Sequence, residues 1–347
     1  MRKTLLALAL IVAIPGARGE QKNVQLLTGM SDFQLQRTMN FMRASLGVHC
    51  DFCHVVNDKT GWDFASDEKG TKRMARHMIQ MVEQINQGSF DGNPVVSCTT
   101  CHRGTTRPVS LPQLPQAPPP FPTPVAPRPA LPPLEEVVKR YAAALGDTSK
   151  LQQPRVLKGT REGYDGKPLP LELQEAGGNV HVSMETPNGR LEQALNATGG
   201  WARTIKGVQP FNPDEVENFR QLTAAYAPLS PESIPADAKV VGKEKIGDRD
   251  TVIVASRIND TMRQRLFFDS ATGLLVRRQI LKRVPVGEIP QQTDFDDYRD
   301  VGGVKFPFFV RLSLVDPWVG STRRYTDVQL GAKVDDSVFN PPAGSRS

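Results

Sequence analysis

Cys50-Asp51-Phe52-Cys53-His54 and Cys98-Thr99-Thr100-Cys101-His102 are the stretches in which residue type and spacing together specify a chemistry. Each reads Cys-x-x-Cys-His, the attachment pattern of a c-type haem. Two thiols add across the two vinyl groups of one porphyrin, so they must lie about one helical turn apart. The histidine that follows then sits under the ring and ligates iron. Cys-x-x-Cys alone would also suit a redox pair or half of a zinc site. Here all four Cys of the chain fall in the two motifs, and neither disulfides nor a zinc ion held by two Cys pairs explains a histidine after each. The expectation is two covalently bound haem c groups. Their thioethers are at Cys50, Cys53, Cys98 and Cys101, and their irons are ligated by His54 and His102.

The segments before the motifs must supply whatever fills the sixth iron position. Ser31 with Gln34 reads as a capping box. Leu35, Met39, Met42 and Leu46 then recur on one helical face, and Gly47 ends the helix just before the first motif. Met74, Met78, Met81 and Ile85 repeat that spacing after the acidic start Ser66-Asp67-Glu68, and a loop with Gly88, Gly92 and Pro94 leads to the second motif. Residues 24–104 therefore read as a tandem repeat of helix, loop and haem motif. Methionine suits an irregular apolar surface such as a porphyrin, and its thioether is a common sixth ligand that raises the potential relative to a second histidine. Spacing does not choose between Met39 and Met42, or between Met78 and Met81. His49 adjoins Cys50 and is too constrained to reach across the same ring, and His77 lies off the apolar face.

Asn23-Val24-Gln25-Leu26-Leu27, Arg37-Thr38-Met39, Cys50 to His54, Ala75-Arg76-His77-Met78, Ile85-Asn86 and Cys98 to Thr105 resemble, in order and spacing, the multihaem cytochrome c subunit of photosynthetic reaction centres. In that family a helix bearing the axial methionine is followed by a turn and a helix bearing Cys-x-x-Cys-His. The resemblance implies Met39 with His54 at one iron and Met78 with His102 at the other. It also implies electron transfer between a donor and an acceptor redox protein, with a membrane electron-transfer complex as the setting. The family's full form carries more haems than the two for which this chain has motifs.

Two six-coordinate irons in a compact repeat point to electron transfer rather than catalysis. A peroxidase-like dihaem enzyme would need one iron with an open sixth site, which the matching Met helices argue against. The chain has 347 residues, room for about two domains. Met1-Arg2-Lys3, an apolar run from Thr4 to Ile14 and small residues at Ala17 and Gly19 read as a signal peptide over 1–19. Export to the periplasm, with membrane association through a partner, fits haem attachment outside the cytoplasmic membrane. The formal charge of +6 falls to +3 once Arg2, Lys3 and Arg18 leave with the leader. The remaining basic residues are scattered, so no nucleic-acid partner is expected.

Residues 20–106 are thus expected to form an all-α dihaem cytochrome c domain of helix-turn-helix haem repeats. Between 107 and 133, twelve of 27 residues are Pro. That composition forbids a packed helix or sheet and gives a semi-rigid linker spanning up to roughly 80 Å. Residues 134–347 read as an α+β domain. They hold an amphipathic helix from Leu134 to Leu145, a helix over 212–227 with Pro213 in its first turn, and eleven strand signals between 154 and 331, among them 168–176, 179–186 and 190–206. A curved antiparallel sheet or half-barrel is the expected form. The runs Leu266 to Leu275 and Asp296 to Pro307 resemble the periplasmic lipoprotein-carrier superfamily. That resemblance implies an apolar ligand on a sheet face lined by Val254, Leu266, Phe268 and Leu275, so that the cytochrome would be tethered to a carrier. His181 reads as structural. Asp294, Asp296, Asp297 and Asp300 read as a strand end and turn rather than a calcium site. Trp62, Trp201 and Trp318 read as packing residues.

Overall fold

The computed structural model describes residues 21–57, 61–118, 130–163, 165–186, 189–224 and 229–342. The expected leader over 1–19 and the middle of the Pro-rich linker, 119–129, lie outside them.

α1 (Asp32–Leu46) starts at Ser31, whose hydroxyl accepts from Gln34 N at 3.2 Å, and ends at Gly47 in the left-handed conformation. Its buried residues are Thr38, Phe41, Met42 and Ser45, so of the expected apolar stripe Met42 is buried while Leu35 and Met39 pack at the margin of its core. Two polar residues can be buried there because each satisfies itself. Thr38 Oγ1 donates to Gln34 O at 2.9 Å and Ser45 Oγ to Phe41 O at 2.8 Å. α2 (Gly70–Ser89) likewise buries Lys72, Ile79, Val82 and Asn86, and leaves Met74 and Met81 exposed.

The expected all-α haem domain of helix-turn-helix repeats is not what forms. The first motif lies on a short 3₁₀ turn, Cys50–Phe52, and runs directly into a two-stranded hairpin, β1 (Val55–Asn57) and β2 (Gly61–Asp63). The second motif is a five-residue helix, α3 (Cys98–His102). The reason is local: β-branched Val55 and Val56 follow His54, and they pair with a strand carrying aromatic Trp62. A helix cannot run on through that stretch at low cost.

The second half holds α4 (Leu134–Leu145) and α5 (Pro213–Thr223) against one antiparallel sheet, which among the described residues has 13 strands in open order where eleven strand signals and a curved sheet or half-barrel were expected. The strands are β3 (Arg155–Glu162), β4 (Pro168–Ala176), β5 (Asn179–Thr186), β6 (Gly189–Asn196), β7 (Gly199–Thr204) and β8 (Gly207–Pro210). After α5 come β9 (Lys239–Ile246), β10 (Arg249–Asn259), β11 (Met262–Asp269), β12 (Leu275–Val284), β13 (Gly287–Val301), β14 (Val304–Leu314) and β15 (Ser321–Leu330). The order across the sheet is β8-β7-β6-β5-β4-β3-β15-β14-β13-β12-β11-β10-β9, so β3 pairs with β15 and joins two meanders. The signal read over 190–206 resolves into β6 and β7, which turn at Asn196, whose side chain accepts from Thr198 N and Gly199 N.

One sheet face is closed by α4 and α5. Val254, Leu266, Phe268 and Leu275, expected to line an open apolar face, are buried in a core shared with Val137, Tyr141 and Leu145 of α4. The Tyr141 ring lies 5.0 Å from that of Phe268, and its hydroxyl donates to Leu229 O at 2.7 Å. The helical segment docks on the sheet. Val286 and Ile289, at the β12–β13 turn, enter a core with Leu27, Phe41, Met42, Ile79 and Cys98. Arg43 pairs with Asp316 at 2.9 Å, and Gln34 donates to Asp214 at 2.7 Å.

Candidate functional site

The two motifs are presented differently. At the first, Cys50 is exposed and Cys53 is half-buried. Burial pushes the Cys53 thiol up, although Thr71 at the start of α2 hydrogen-bonds it. His54 follows with its ring edge-on to Phe64, centroids 5.1 Å apart. Burial lowers the basicity of His54, which favours the neutral imidazole. Its Nδ1 is buried with no hydrogen-bond partner among the described residues. α2 holds this motif from behind: Thr71 and Lys69 donate to the carbonyls of Phe52 and Asp51.

At the second motif, Cys98 is buried and its thiol raised by burial, while Cys101 is exposed. Ser97 and Thr100 form a reciprocal cap on α3. The preceding loop is tied to α2 by Asn86, which donates to Val96 O and accepts from Val96 N, both at 2.8 Å. His102 Nδ1 meets Thr105 O at 3.0 Å. A carbonyl only accepts, so in the neutral ring Nδ1 carries the proton and Nε2 keeps its lone pair for a metal.

α1 packs on α3, so the two copies are interlocked. Ser45 and Thr99 share a hydroxyl contact at 2.7 Å, and Gly104 N donates to Ser45 O at 2.8 Å. Met39 is half-buried beside the core that contains Met42, and Met78 is half-buried on α2 between exposed Met74 and Met81. His49 and His77 are exposed.

The donor set fits covalent haem. All four thiols are free, one of each pair faces solvent, and the Thr105 carbonyl lies within hydrogen-bond distance of His102 Nδ1. Among the described residues no group of three or more His, Cys, Asp or Glu is gathered for a metal ion.

Residues 12–117 match the family model of the photosynthetic reaction centre cytochrome C subunit. The cytochrome segment is 39% identical over 87 residues to cytochrome c-554 of Chloroflexus aurantiacus, covering 23% of this chain and 20% of that protein. It is 35% identical over 95 residues to the photosynthetic reaction center cytochrome c subunit of Roseobacter denitrificans, covering 25% of each. The chain thus spans a fifth to a quarter of the length of these relatives. The match supports a c-type cytochrome for this segment, a family that implies covalently bound haem c. A LolA superfamily protein of Nitrosomonas europaea aligns with 60% of this chain and 98% of its own, at a TM-score of 0.40 and 11% identity. A putative outer membrane lipoprotein-sorting protein domain of Vibrio parahaemolyticus covers 59% of this chain and 94% of its own, at a TM-score of 0.38 and 10% identity.

Sequence reasoning misses the residues that brace the cytochrome segment. Lys72, Asn86 and Thr105 act on backbone groups, and their types carry no signal of that role. Trp62, expected to pack, is exposed, whereas Trp201 is buried and donates to Phe339 O at 3.0 Å. The Trp318 side chain lies outside the described residues. His181 is buried, with its ring 6.0 Å from that of Trp201. Arg277 pairs with Asp294, Arg249 with Asp296 and Arg299 with Asp297, and Asp300 accepts from Gly303 N. Among the described residues, no helix is long and apolar enough to cross a membrane.

Proposed function

We propose that this chain is an exported, periplasmic dihaem c-type cytochrome that passes electrons between redox proteins. The observation that carries the reading is the pair of complete Cys-x-x-Cys-His motifs inside the matched cytochrome segment. A haem c supplies an iron that alternates between ferrous and ferric states. Cys50 and Cys53 would hold one such group and Cys98 and Cys101 the other. His54 and His102 would ligate the two irons on one side, with Met39 and Met78 on the other. The relatives named as reaction-centre subunits support a membrane electron-transfer complex as the partner. Mass spectrometry of chain exported from a host that matures c-type haems should show two haem additions on a polypeptide cleaved near Gly19. One addition or none would end the dihaem reading. Carbon monoxide binding by the native protein would move it to the enzyme class.

A second reading, a cytochrome joined to an apolar-ligand carrier, is favoured by a cavity of about 550 Å³ between α1, α5 and the sheet. Phe33, Met184, Phe219, Leu222, Leu312 and Leu314 are among its lining residues. That volume is within the range of small-molecule sites. A fluorescent apolar probe should bind saturably and be lost in Leu312→Asp; absence of binding removes this reading.

A further inference from the structure

Among the described residues, exposed aromatic rings lie beside the first motif and none beside the second. Phe52, Val56, Trp62 and Phe64 are all exposed, with Trp62 at 47% and Phe64 at 57%. Single exposed apolar residues are ordinary, but four beside one another in a short stretch mark a surface that something covers. The rings are ordered relative to one another. Trp62 stacks on Phe64 with centroids 5.4 Å apart and planes 3° from parallel. Phe64 in turn stands edge-on to His54, at 5.1 Å and 76°. The ring pair therefore begins at the histidine of the first motif and extends away from it.

The backbone beneath these rings is braced. Asp63 Oδ1 accepts from Ala65 N and Ser66 N, each at 3.0 Å. Lys72, buried in the first turn of α2, donates to the carbonyls of Phe64, Ala65 and Ser66 at 2.9, 3.0 and 2.9 Å and pairs with Asp67 at 3.1 Å. Asn23 adds a bond to Ala65 O at 2.6 Å, and Arg76 pairs with Asp67 at 2.9 Å. A buried ammonium whose donors are all taken up by one loop fixes that loop in a single conformation. Such fixing is wasted on rings that lie in water and is useful where the rings must meet a rigid partner. At the second motif the equivalent covering comes from the sheet, where Val286 and Ile289 pack with Cys98.

We propose that the Trp62–Phe64 ring pair is the wall of the first haem pocket, covering the porphyrin held by Cys50 and Cys53, with Lys72 as the positioning residue behind it. The inference rests on the dihaem reading. Its chemistry is that of stacking on a flat aromatic macrocycle and of keeping water from its edge. Excluding water disfavours the more highly charged oxidised iron, so the wall raises the potential of that haem alone. The two haems then differ because one is walled by this hairpin and the other by the sheet.

The test uses the full chain carrying both haems, counted first by mass. In Trp62→Ala with Phe64→Ala, a redox titration should show one potential lowered and the other unmoved, and Trp62→Phe alone should keep the native value. Separately, hydrogen exchange at Trp62, Asp63 and Phe64 should be roughly tenfold slower in the loaded chain than in a Cys50→Ala, Cys53→Ala chain that retains the second haem, with α2 unchanged. Two unmoved potentials and equal exchange in a chain shown to carry both haems would overturn the wall and leave the rings as a protein-docking surface. A chain with no haem at Cys50 and Cys53 would overturn the dihaem reading itself.

Discussion

Met39 and Met42 are one helical turn apart, and the fold treats them differently. Met42 is buried with Phe41 and Ile79, while Met39 lies half-buried at the margin of that core. On α2, Met78 is half-buried and Met81 exposed. We expect Met39→Leu and Met78→Leu each to open one iron to carbon monoxide and to lower that haem's potential. Met42→Leu keeps core volume, so it should cost under about 1.5 kcal/mol and leave both irons closed. Met81→Leu should change neither. Carbon monoxide difference spectra decide it, and the reverse pattern would shift the ligands by one turn. At this scale the two Cys-x-x-Cys-His motifs are legible in the sequence because their spacing is local. The methionines are not, because either member of a pair satisfies a helical period.

The joint between α1 and α3 depends on Gly47. Its φ is +66°, and a Cβ there would meet Gly104 O at 2.1 Å. Gly47→Ala combines left-handed strain with a backbone clash, so a loss of about 2 kcal/mol or more is expected. Thermal unfolding of the haem-loaded chain measures it; a change within about 0.5 kcal/mol would mean that the two turns move apart freely. Sequence reading finds Gly47 as a helix stop, a property of one residue. It does not find that the stop abuts the turn after the second motif, because that contact joins residues far apart in the chain. The β1–β2 hairpin escapes for the opposite reason: its strands are so short that the repeat pattern on either side outweighs them.

Across the whole molecule, the β12–β13 turn joins sheet to cytochrome. Val286 is fully buried against residues of the helical segment. Val286→Ala should cost about 1.5–3 kcal/mol, read by denaturant unfolding. The proposed division at the linker, with 20–106 before it and 134–347 after, can be tested through the same contact. Residues 20–110 alone should fold and hold both haems, but melt below the full chain because Val286 and Ile289 are gone; an unchanged melting temperature would mean that the contact contributes nothing. The sheet's other core carries a pH signature. Burial raises the phenols of Tyr141 and Tyr298 above the ordinary value of 10.0. A raised folded value means that this stabilisation is complete below pH 10.0 and is lost as pH climbs above it towards the folded values. In an alkaline titration the phenolate absorbance of these two should therefore appear only together with loss of the sheet's circular dichroism. Appearance ahead of that loss would place them in contact with water.

Motif spacing and local periodicity were written in the sequence. All four cysteines fall in two haem motifs, and alternation places strands such as 168–176 and 179–186 to the residue, because side-chain chemistry and a period of two are local properties. Tertiary structure decided the rest. It rotated the buried face of α2 from its methionines to Lys72, Ile79, Val82 and Asn86, because Lys72 and Asn86 find backbone partners only once the loops are in place. It closed the sheet face over Phe268 with Tyr141, and it set Val286 beneath the second motif. Each of these depends on what a side chain meets across a long loop, and the free energy of that meeting belongs to neither partner's own stretch of chain.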